Sequence, residues 1–373
     1  MSQVQDLVAV DEHRIRSLSE ASYPEGVVSV YATVDFTDPP AVLPAVRNEL
    51  RAAVQQAIST APESRHRALT RAGARIDEQV HRCLGEPPHH AAVAGFVDLA
   101  NEDASLWLTL EVPSITHAWH AEHPVLTPLL RATLEAEPAG VVVATGEEAQ
   151  VWEWSAGHFE QVDSFEMSVD TGAWRRKQGP GPSGADRPGV SRSSQVDLFD
   201  RKMNLERERF LTDGVVPALA ELASQEGWTR LVVWGPGPLR QAAADLTSRV
   251  RVIDGGDTTL VHSPKADLKH RVEDAIAGDR TRRELDFATL LTDGSETRVA
   301  RGIAAVRQAA EAGNVDSAAV TLAAADGPRE QLLAIEHVVR LVLGQGGTVL
   351  PVAGDAAALL DSHEGIAARL RHA

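Results

Sequence analysis

A cluster of cations in the middle of the chain has the strongest potential for chemistry. Residues 174–192 carry five cations and one anion, although the whole chain of 373 residues has a net charge of −17. Guanidinium groups bind phosphate oxygens in a bidentate manner, and a tryptophan ring can stack on a nucleic-acid base. We therefore expect RNA contacts from this segment, through Trp174, Arg175, Arg176, Lys177, Gln178, Arg187 and Arg192. The alternative is an exposed loop whose charges only keep it solvated.

A glycine turn is the second candidate, as a phosphate-binding site. Gly235-Pro236-Gly237 follows a predicted strand at 230–234 and precedes a predicted helix. Pro236 and Pro238 remove two backbone N–H donors that a phosphate cradle would use, and no lysine follows. The segment is therefore predicted to be a tight strand-to-helix turn.

Two groups of residues have types that bind metal ions. On a helix, a spacing of three would place side chains on neighbouring parts of one face, where they could share a metal. The pattern His-Glu-x-x-His is absent and Pro124 ends the first group, so we expect no metal site. The thiol of Cys83 is expected to be buried and structural. The two groups are His117, His120 and His123, and the looser set His81, Cys83, His89 and His90.

Nucleophile patterns are missing from the sequence. It contains no Gly-x-Ser-x-Gly elbow, and no serine or cysteine stands in a pattern that assigns it a base. We therefore predict a protein that is not an enzyme and has no cofactor. Two other classes stay open. A metal-assisted hydrolase would need convergent carboxylates in the middle of the chain. A stress-related protein-interaction module would not contact RNA.

Composition restricts the class of protein. Hydrophobic residues make up 43% and charged residues 24% of the chain, which is typical of globular material with two or three cores. No run of eighteen apolar residues is present, and the first residues are acidic where a signal peptide needs a basic end. One cysteine excludes an internal disulfide. These features predict a cytoplasmic protein without membrane contact.

Three domains are predicted to position these residues in an α/β (α+β) fold. The N-terminal domain, 1–135, should contain a strand at 27–36, helices at 42–58 and 65–84, and strands at 91–99 and 105–112. The middle domain, 136–262, opens with a meander of three strands at 141–145, 150–154 and 158–169. After the basic loop come a helix from 195 with a kink at Pro217, a strand at 230–234, a helix at 238–248 and a strand at 250–253.

The C-terminal domain, 263–373, starts with a charge-dense segment at 264–292, which is predicted to be a solvated helix or connector. Helices at 299–312 and 328–343 alternate with strands at 315–322 and 348–352, and short helices should end the chain. Alternating elements of this kind form a three-layer αβα domain.

The order of these parts resembles the bacterial relatives of the archaeal and eukaryotic class-I peptide release factors, which are also related to the ribosome-rescue factor Pelota. The resemblance covers about residues 140–373 and rests on three segments. They are VVVATGEEAQVWEWSAGHFEQVDSFEM, then WRRKQGPGPSGADRPGVSRSSQVDLFDRKMNLERERFL followed by GWTRLVVWGPGPL, and finally RGIAAVRQAAEAGNVDSAAV. The resemblance implies a middle domain of the RNase H-like, release-factor-like type and a C-terminal domain of the ribosomal L7Ae/L30e type.

The resemblance also implies a function. A protein of this family enters the A site of the 70S ribosome, contacts ribosomal RNA, and can bind a translational GTPase such as elongation factor Tu. The family's catalytic Gly-Gly-Gln triplet is absent, since Gln178-Gly179 has the reverse order and Gly181 and Gly184 are isolated. We therefore expect a monomeric factor that acts in ribosome hibernation or rescue without hydrolysing peptidyl-tRNA.

Overall fold

A computed structural model describes residues 8–33, 39–85, 91–101, 105–169, 193–248, 250–294, 296–322 and 328–372. They form a mixed α+β fold with three sheets, which confirms the predicted fold class. The chain divides into two compact units, one made of Met1–Ala136 with Arg280–Ala373 and the other of Glu137–Asp279. Within these described ranges, no helix is both long and apolar enough to cross a membrane.

The N-terminal sheet of the first unit has the strand order β1-β4-β3-β2-β5. Its strands are β1 (Val8–Ala9), β2 (Val27–Thr33), β3 (Ala92–Asp98), β4 (Leu106–Leu110) and β5 (His117–Ala121). The helices are α1 (Glu12–Glu20), α2 (Pro39–Thr60), α3 (His66–Gly85) and α4 (Thr127–Ala136). Alternate residues of β2, such as Val28 and Val30, pack against apolar side chains of α2 and α3. The predicted helices and strands of this segment are confirmed, and β1 and β5 are additional strands.

The C-terminal sheet of the same unit has the order β11-β14-β12-β13. Its strands are β11 (Val299–Arg301), β12 (Val315–Thr321), β13 (Thr348–Val352) and β14 (Ile366–Leu370), and its helices are α9 (Ile303–Glu311), α10 (Arg329–Gly344) and α11 (Gly354–Leu360). Two predictions were wrong here, because 299–301 and 366–370 are strands and not helices. Strand β14 is inserted between β11 and β12 and pairs antiparallel with both. The strands that pair here lie far apart in the sequence. A segment of three to five residues therefore carries no local pattern that predicts the pairing.

The second unit holds a five-stranded sheet with the order β10-β9-β6-β7-β8. Its strands are β6 (Ala139–Ala144), β7 (Glu148–Ser155), β8 (His158–Glu166), β9 (Arg230–Trp234) and β10 (Arg251–Gly256). Strands β6, β7 and β8 form the predicted antiparallel meander, whereas β9 is parallel to β6 and to β10. Every residue of β6 is buried, so its apolar side chains pack on both faces of the sheet.

The second unit also contains α5 (Ser193–Arg209), α6 (Val216–Gln225), α7 (Gly237–Ala244) and the part of α8 (Lys265–Thr292) that precedes Arg280. A π-helical turn at Phe210–Val215 joins α5 to α6, and the N–H of Val216 donates to the carbonyl of Leu211. This turn lies directly before Pro217, where a kink was predicted, because proline has no N–H to continue the ladder. The charge-dense segment is one continuous helix, α8, and it is not fully solvated, since Leu268, Val272 and Ile276 are buried.

Candidate functional site

The basic segment is bounded by two elements of the second unit. The predicted RNA-binding residues Trp174, Arg175, Arg176, Lys177, Gln178, Arg187 and Arg192 lie outside the described residues. Strand β8 ends at Glu166 before this segment, and α5 begins at Ser193 after it. Strand β8 and helix α5 therefore flank the basic segment in sequence.

Both flanks are attached to the turn between β6 and β7. The N–H of Met167, just after β8, donates to the carbonyl of Glu147 at 2.8 Å. In the last turn of α5, Arg207 donates from Nε to Oε1 of Glu147 at 3.1 Å and makes a second bond from Nη2. The turn itself is stiffened by Thr145, whose hydroxyl accepts from the N–H groups of Glu147 and Glu148 at 3.2 and 3.1 Å. One residue, Glu147, thus contacts the chain on both sides of the basic segment.

Helix α5 is largely solvent-exposed along the part whose side chains are described. Phe199 and Leu205 are 40% and 53% exposed, although both are large apolar side chains. Farther along, Phe210 packs against the core formed by β6, β7 and the helices. The helix is therefore fastened at its C-terminal end, where Phe210 and Arg207 make contacts, and presents apolar and charged side chains to solvent before that point.

Two tryptophans, Trp228 and Trp154, make close contacts at the sheet of the second unit. The ring of Trp228 lies against Gly140, so that a Cβ at position 140 would be 2.1 Å from its Cε3 atom. The guanidinium of Arg230 stacks over Trp154 at 5.3 Å from the ring centroid and also donates to the carbonyl of Glu137. Arg230 is only 2% exposed, and cation–π contact is strong for such a desolvated charge.

The glycine turn is a tight turn, as predicted. The N–H of Gly235 donates to the carbonyl of Gly256 at 3.0 Å, which ties the end of β9 to β10. A Cβ at position 235 would lie 3.0 Å from the carbonyl oxygen of Ala144, so close approach of the backbone requires glycine. Pro236 then caps α7. The N–H of Gly235 is therefore used within the fold.

The structure does not bring His117, His120 and His123 together on one face. His117–Ala121 is a strand and not a helix, so His117 and His120 face opposite sides of the sheet. His123 lies beyond the strand, with its ring 6.0 Å from that of His337. Cys83 is buried, as expected, while His89 and His90 lie outside the described residues. In the described part of the chain, no three His, Cys, Asp or Glu side chains are close enough to hold a metal. A metal-assisted hydrolase therefore has no such ligand group to support it there.

A buried carboxylate on α10 was missed by the sequence analysis. Glu336 is 2% exposed and accepts hydrogen bonds from the N–H groups of Leu126 and Thr127 at 2.7 and 3.2 Å, and from the Thr127 hydroxyl at 2.5 Å. It thereby caps the N-terminus of α4 from a distant part of the chain. Burial raises the pKa of Glu336 to about 7, although the three donated hydrogen bonds act in the opposite direction. In so acidic a chain, nothing in the sequence distinguishes Glu336 from the many exposed carboxylates.

The region that contains the basic segment matches the sequence model of a known protein family. A profile of the bacterial archaeo-eukaryotic release factor family 10 matches residues 124–276. These residues, which make up less than half of the chain, are similar to that release factor family. The matched region contains the Glu147 turn, helix α5 and the whole sheet of the second unit. The release factor triplet Gly-Gly-Gln is absent from the chain.

The solved structures that are similar to this chain share little sequence with it. An archaeal translation termination factor, aRF1, is 15% identical over 98% of this chain and 99% of its own, with a TM-score of 0.25. Pelota from Archaeoglobus fulgidus is 18% identical over 75% and 78% of the two chains, with a TM-score of 0.30. Dom34 from S. cerevisiae, described as interacting with Hbs1, is 12% identical over 75% and 80%, with a TM-score of 0.40. No curated protein sequence matches the chain.

Proposed function

We propose that the protein is a release-factor-like translation factor that occupies the A site of the 70S ribosome in hibernation or rescue and does not hydrolyse peptidyl-tRNA. The observation that carries the proposal is the attachment of both flanks of the basic segment to Glu147, within the region that is similar to the release factor family. Such an attachment presents the segment from one fixed place on the domain.

Electrostatics supports ribosomal RNA as the partner of this segment. Five cations in 174–192 stand against a net charge of −17 for the whole chain. A local positive field attracts phosphate groups, while the acidic remainder repels RNA elsewhere on the surface. Binding is therefore concentrated at the residues Trp174, Arg175, Arg176, Lys177, Gln178, Arg187 and Arg192.

The family resemblance adds a second partner to the proposal. The αβα sheet of β11 to β14 would contact a translational GTPase such as elongation factor Tu, which would deliver the protein to the ribosome. The protein acts in this scheme as a monomer in the cytoplasm. Co-sedimentation with and without the GTPase, bound to a non-hydrolysable GTP analogue, tests this part separately.

The central experiment is co-sedimentation of the protein with vacant 70S ribosomes across a salt series. The variant Arg175→Glu/Arg176→Glu/Lys177→Glu should bind at least tenfold more weakly and show a smaller salt slope, because each lost phosphate contact removes counterion release. The control Lys265→Glu/Arg271→Glu/Arg282→Glu makes the same change in net charge with three exposed cations of α8.

Equal binding by the two triple variants would overturn the role of the basic segment. If neither the triple variants nor the parent protein binds ribosomes, even with the GTPase present, the translation-factor proposal is overturned. A pull-down that returns partner proteins but no ribosomes would then favour the interaction module.

A further inference from the structure

A cavity of about 440 Å³ lies between helices α2 and α3 of the first unit. Pockets that bind small molecules commonly have about 300–1,000 Å³ and mostly apolar walls. Helix α2 lines the cavity with Leu50, Val54 and Ile58, which share one face because they are spaced four residues apart. Helix α3 lines it with Ile76 and Val80. The cavity therefore has the volume and the walls of a small-molecule site.

Two small residues of α3 also line this cavity. Gly73 lets the two helices approach closely, since a Cβ at this position would lie 2.8 Å from Cγ1 of Val54. Ala74, the next residue, is exposed, so the cavity opens to solvent beside it. A larger side chain at position 74 would fill this opening without replacing any residue of the buried core.

Two arginines of α2 and one carboxylate of α3 line one end of the cavity. Arg47 donates from Nε and Nη2 to the two oxygens of Asp77 at 3.0 and 2.6 Å, and Arg51 adds one bond from Nη2 at 3.1 Å. The hydrogen bond from Arg47 lowers the pKa of Asp77 to about 2, so this carboxylate is ionised at neutral pH. Two positive charges and one negative charge leave this end of the cavity with an excess of one positive charge.

Arg51 is the cation that is available to a ligand. Its side chain is 55% exposed, and among the described residues only Asp77 accepts a hydrogen bond from it. A guanidinium group has five N–H donors, so most of those on Arg51 remain for another acceptor. Its planar fork binds a carboxylate through two parallel hydrogen bonds. Gln55, one turn farther along α2, also lines the cavity and carries an amide donor.

The charged end and the apolar wall of the cavity are continuous along α2. Arg51, Val54 and Ile58 lie on one side of the helix and all line the cavity. Arg51 and Ile58 are seven residues apart, which corresponds to about 10 Å along the helix axis. A ligand that pairs with Arg51 can therefore extend an apolar chain past Val54 as far as Ile58.

We propose that the cavity between α2 and α3 binds an amphipathic monocarboxylate, a medium-chain fatty acid anion, with its carboxylate at Arg51 and its alkyl chain along Val54 and Ile58. The bound chain contacts both helices and so stabilises their packing. The site lies outside residues 124–276, which match the release factor family, and it is independent of the proposed ribosome function and of the basic segment.

The test is a titration of the full-length protein, with 13C-labelled Ile, Leu and Val methyl groups, with sodium octanoate. The methyl signals of Leu50, Val54 and Ile58 should shift in a saturable manner. Decanoate should bind more tightly by about two- to fourfold for each added methylene group, because each one buries more apolar surface. Octanol and octylamine should bind at least fivefold more weakly than octanoate, since neither presents an anion to Arg51.

Matched variants separate the carboxylate contact from the apolar contact. Arg51→Gln should weaken octanoate binding at least fivefold and leave octanol binding unchanged, which shows that the cavity itself is intact. Arg67→Gln removes an exposed cation of α3 that does not line the cavity, and it should have no effect. Ala74→Trp should weaken the binding of octanoate and octanol at least tenfold, whereas Ala52→Trp, at an exposed position of α2 outside the cavity, should change neither.

Four results would overturn the proposal. The first is octanoate binding that does not saturate, or methyl shifts that leave Leu50, Val54 and Ile58 unchanged. The second is equal affinity for octanoate and octylamine. The third is an equal effect of Arg51→Gln and Arg67→Gln on octanoate binding. The fourth is an equal effect of Ala74→Trp and Ala52→Trp when both variants unfold at the same temperature as the parent protein.

Discussion

Arg207 in the last turn of α5 forms a two-pronged ion pair with Glu147 in the turn between β6 and β7, sixty residues earlier in the chain. The aliphatic part of Arg207 also packs over Gly146, whose missing Cβ leaves room for it. Because the carbonyl of Glu147 accepts from Met167, this pair connects both ends of the basic segment to one turn.

Breaking this ion pair should change function more than stability. Arg207→Gln and Glu147→Gln should each lower the free energy of unfolding by no more than about 1 kcal/mol, because exposed pairs are screened by solvent; the two side chains are 42% and 57% exposed. Ribosome affinity should fall several-fold in either variant, and the double variant should be no weaker than the single ones. Co-sedimentation and urea unfolding measure the two effects.

The control for this pair is Arg209→Gln, which removes a cation that forms an ion pair with Glu206 of the same helix. It should bind ribosomes like the parent protein. Additive losses in the double variant, or an equal loss in Arg209→Gln, would contradict the anchoring role of Glu147.

Glu336 should make stability depend on pH. Its pKa is about 7 in the folded protein and 4.5 as a reference value, so the folded state holds the proton more tightly than the unfolded state. The stability contributed by the protonated group is fully present below pH 4.5 and is lost as the pH rises through about 7. Relative to Glu336→Gln, the parent protein should therefore become less stable between these limits and then level off.

Urea unfolding midpoints at several pH values between 4 and 8 measure this difference. Subtracting the values for Glu336→Gln removes the contribution of other titrating groups, including His120, whose depressed pKa acts at lower pH and with the opposite sign. A difference between the two proteins that stays constant with pH would contradict the raised pKa of Glu336.

The contact between Gly140 and Trp228 should tolerate no side chain. Gly140→Ala places a methyl group inside the indole contact distance and should cost about 1–3 kcal/mol, the usual cost of overpacking. Gly278→Ala is the matched control, because nothing lies within 4 Å of its added methyl group on α8. It should raise stability by about 0.5–1 kcal/mol through helix propensity. Thermal unfolding compares both, and a neutral Gly140→Ala would contradict the close packing.

Peptidyl-tRNA should not be hydrolysed. On programmed ribosomes that carry formyl-methionyl-tRNA, we expect no release above background, because the Gly-Gly-Gln triplet that positions water in release factors is absent. A factor with that triplet serves as the positive control. Release that depends on Gln178 and disappears in Gln178→Ala would assign the protein an enzymatic activity.

Local sequence patterns predicted most helices and strands correctly, because the spacing of apolar residues that indicates each element involves only residues that are close in sequence. The β-branched runs at Val27–Thr33 and Arg230–Trp234 are strands, and the 3.6-residue periodicity predicted α3 and α10 to within a residue or two. Strand β11 was missed because three residues carry too little pattern, and β14 was missed because its sequence, IAARL, has a single β-branched residue. The strands that pair with β14 also lie far along the chain.

For the candidate site, too, the sequence predicts some features and the tertiary structure decides others. Charge and composition, which need no coordinates, single out residues 174–192 as the basic segment of an acidic chain. The anchor at Glu147, the cap that Glu336 provides for Thr127 and the approach of Arg329 to His120 join residues 60 to 209 positions apart. Only the tertiary structure decides such contacts, since the energy of a buried or paired charge depends on what surrounds it in space and not on its neighbours in sequence.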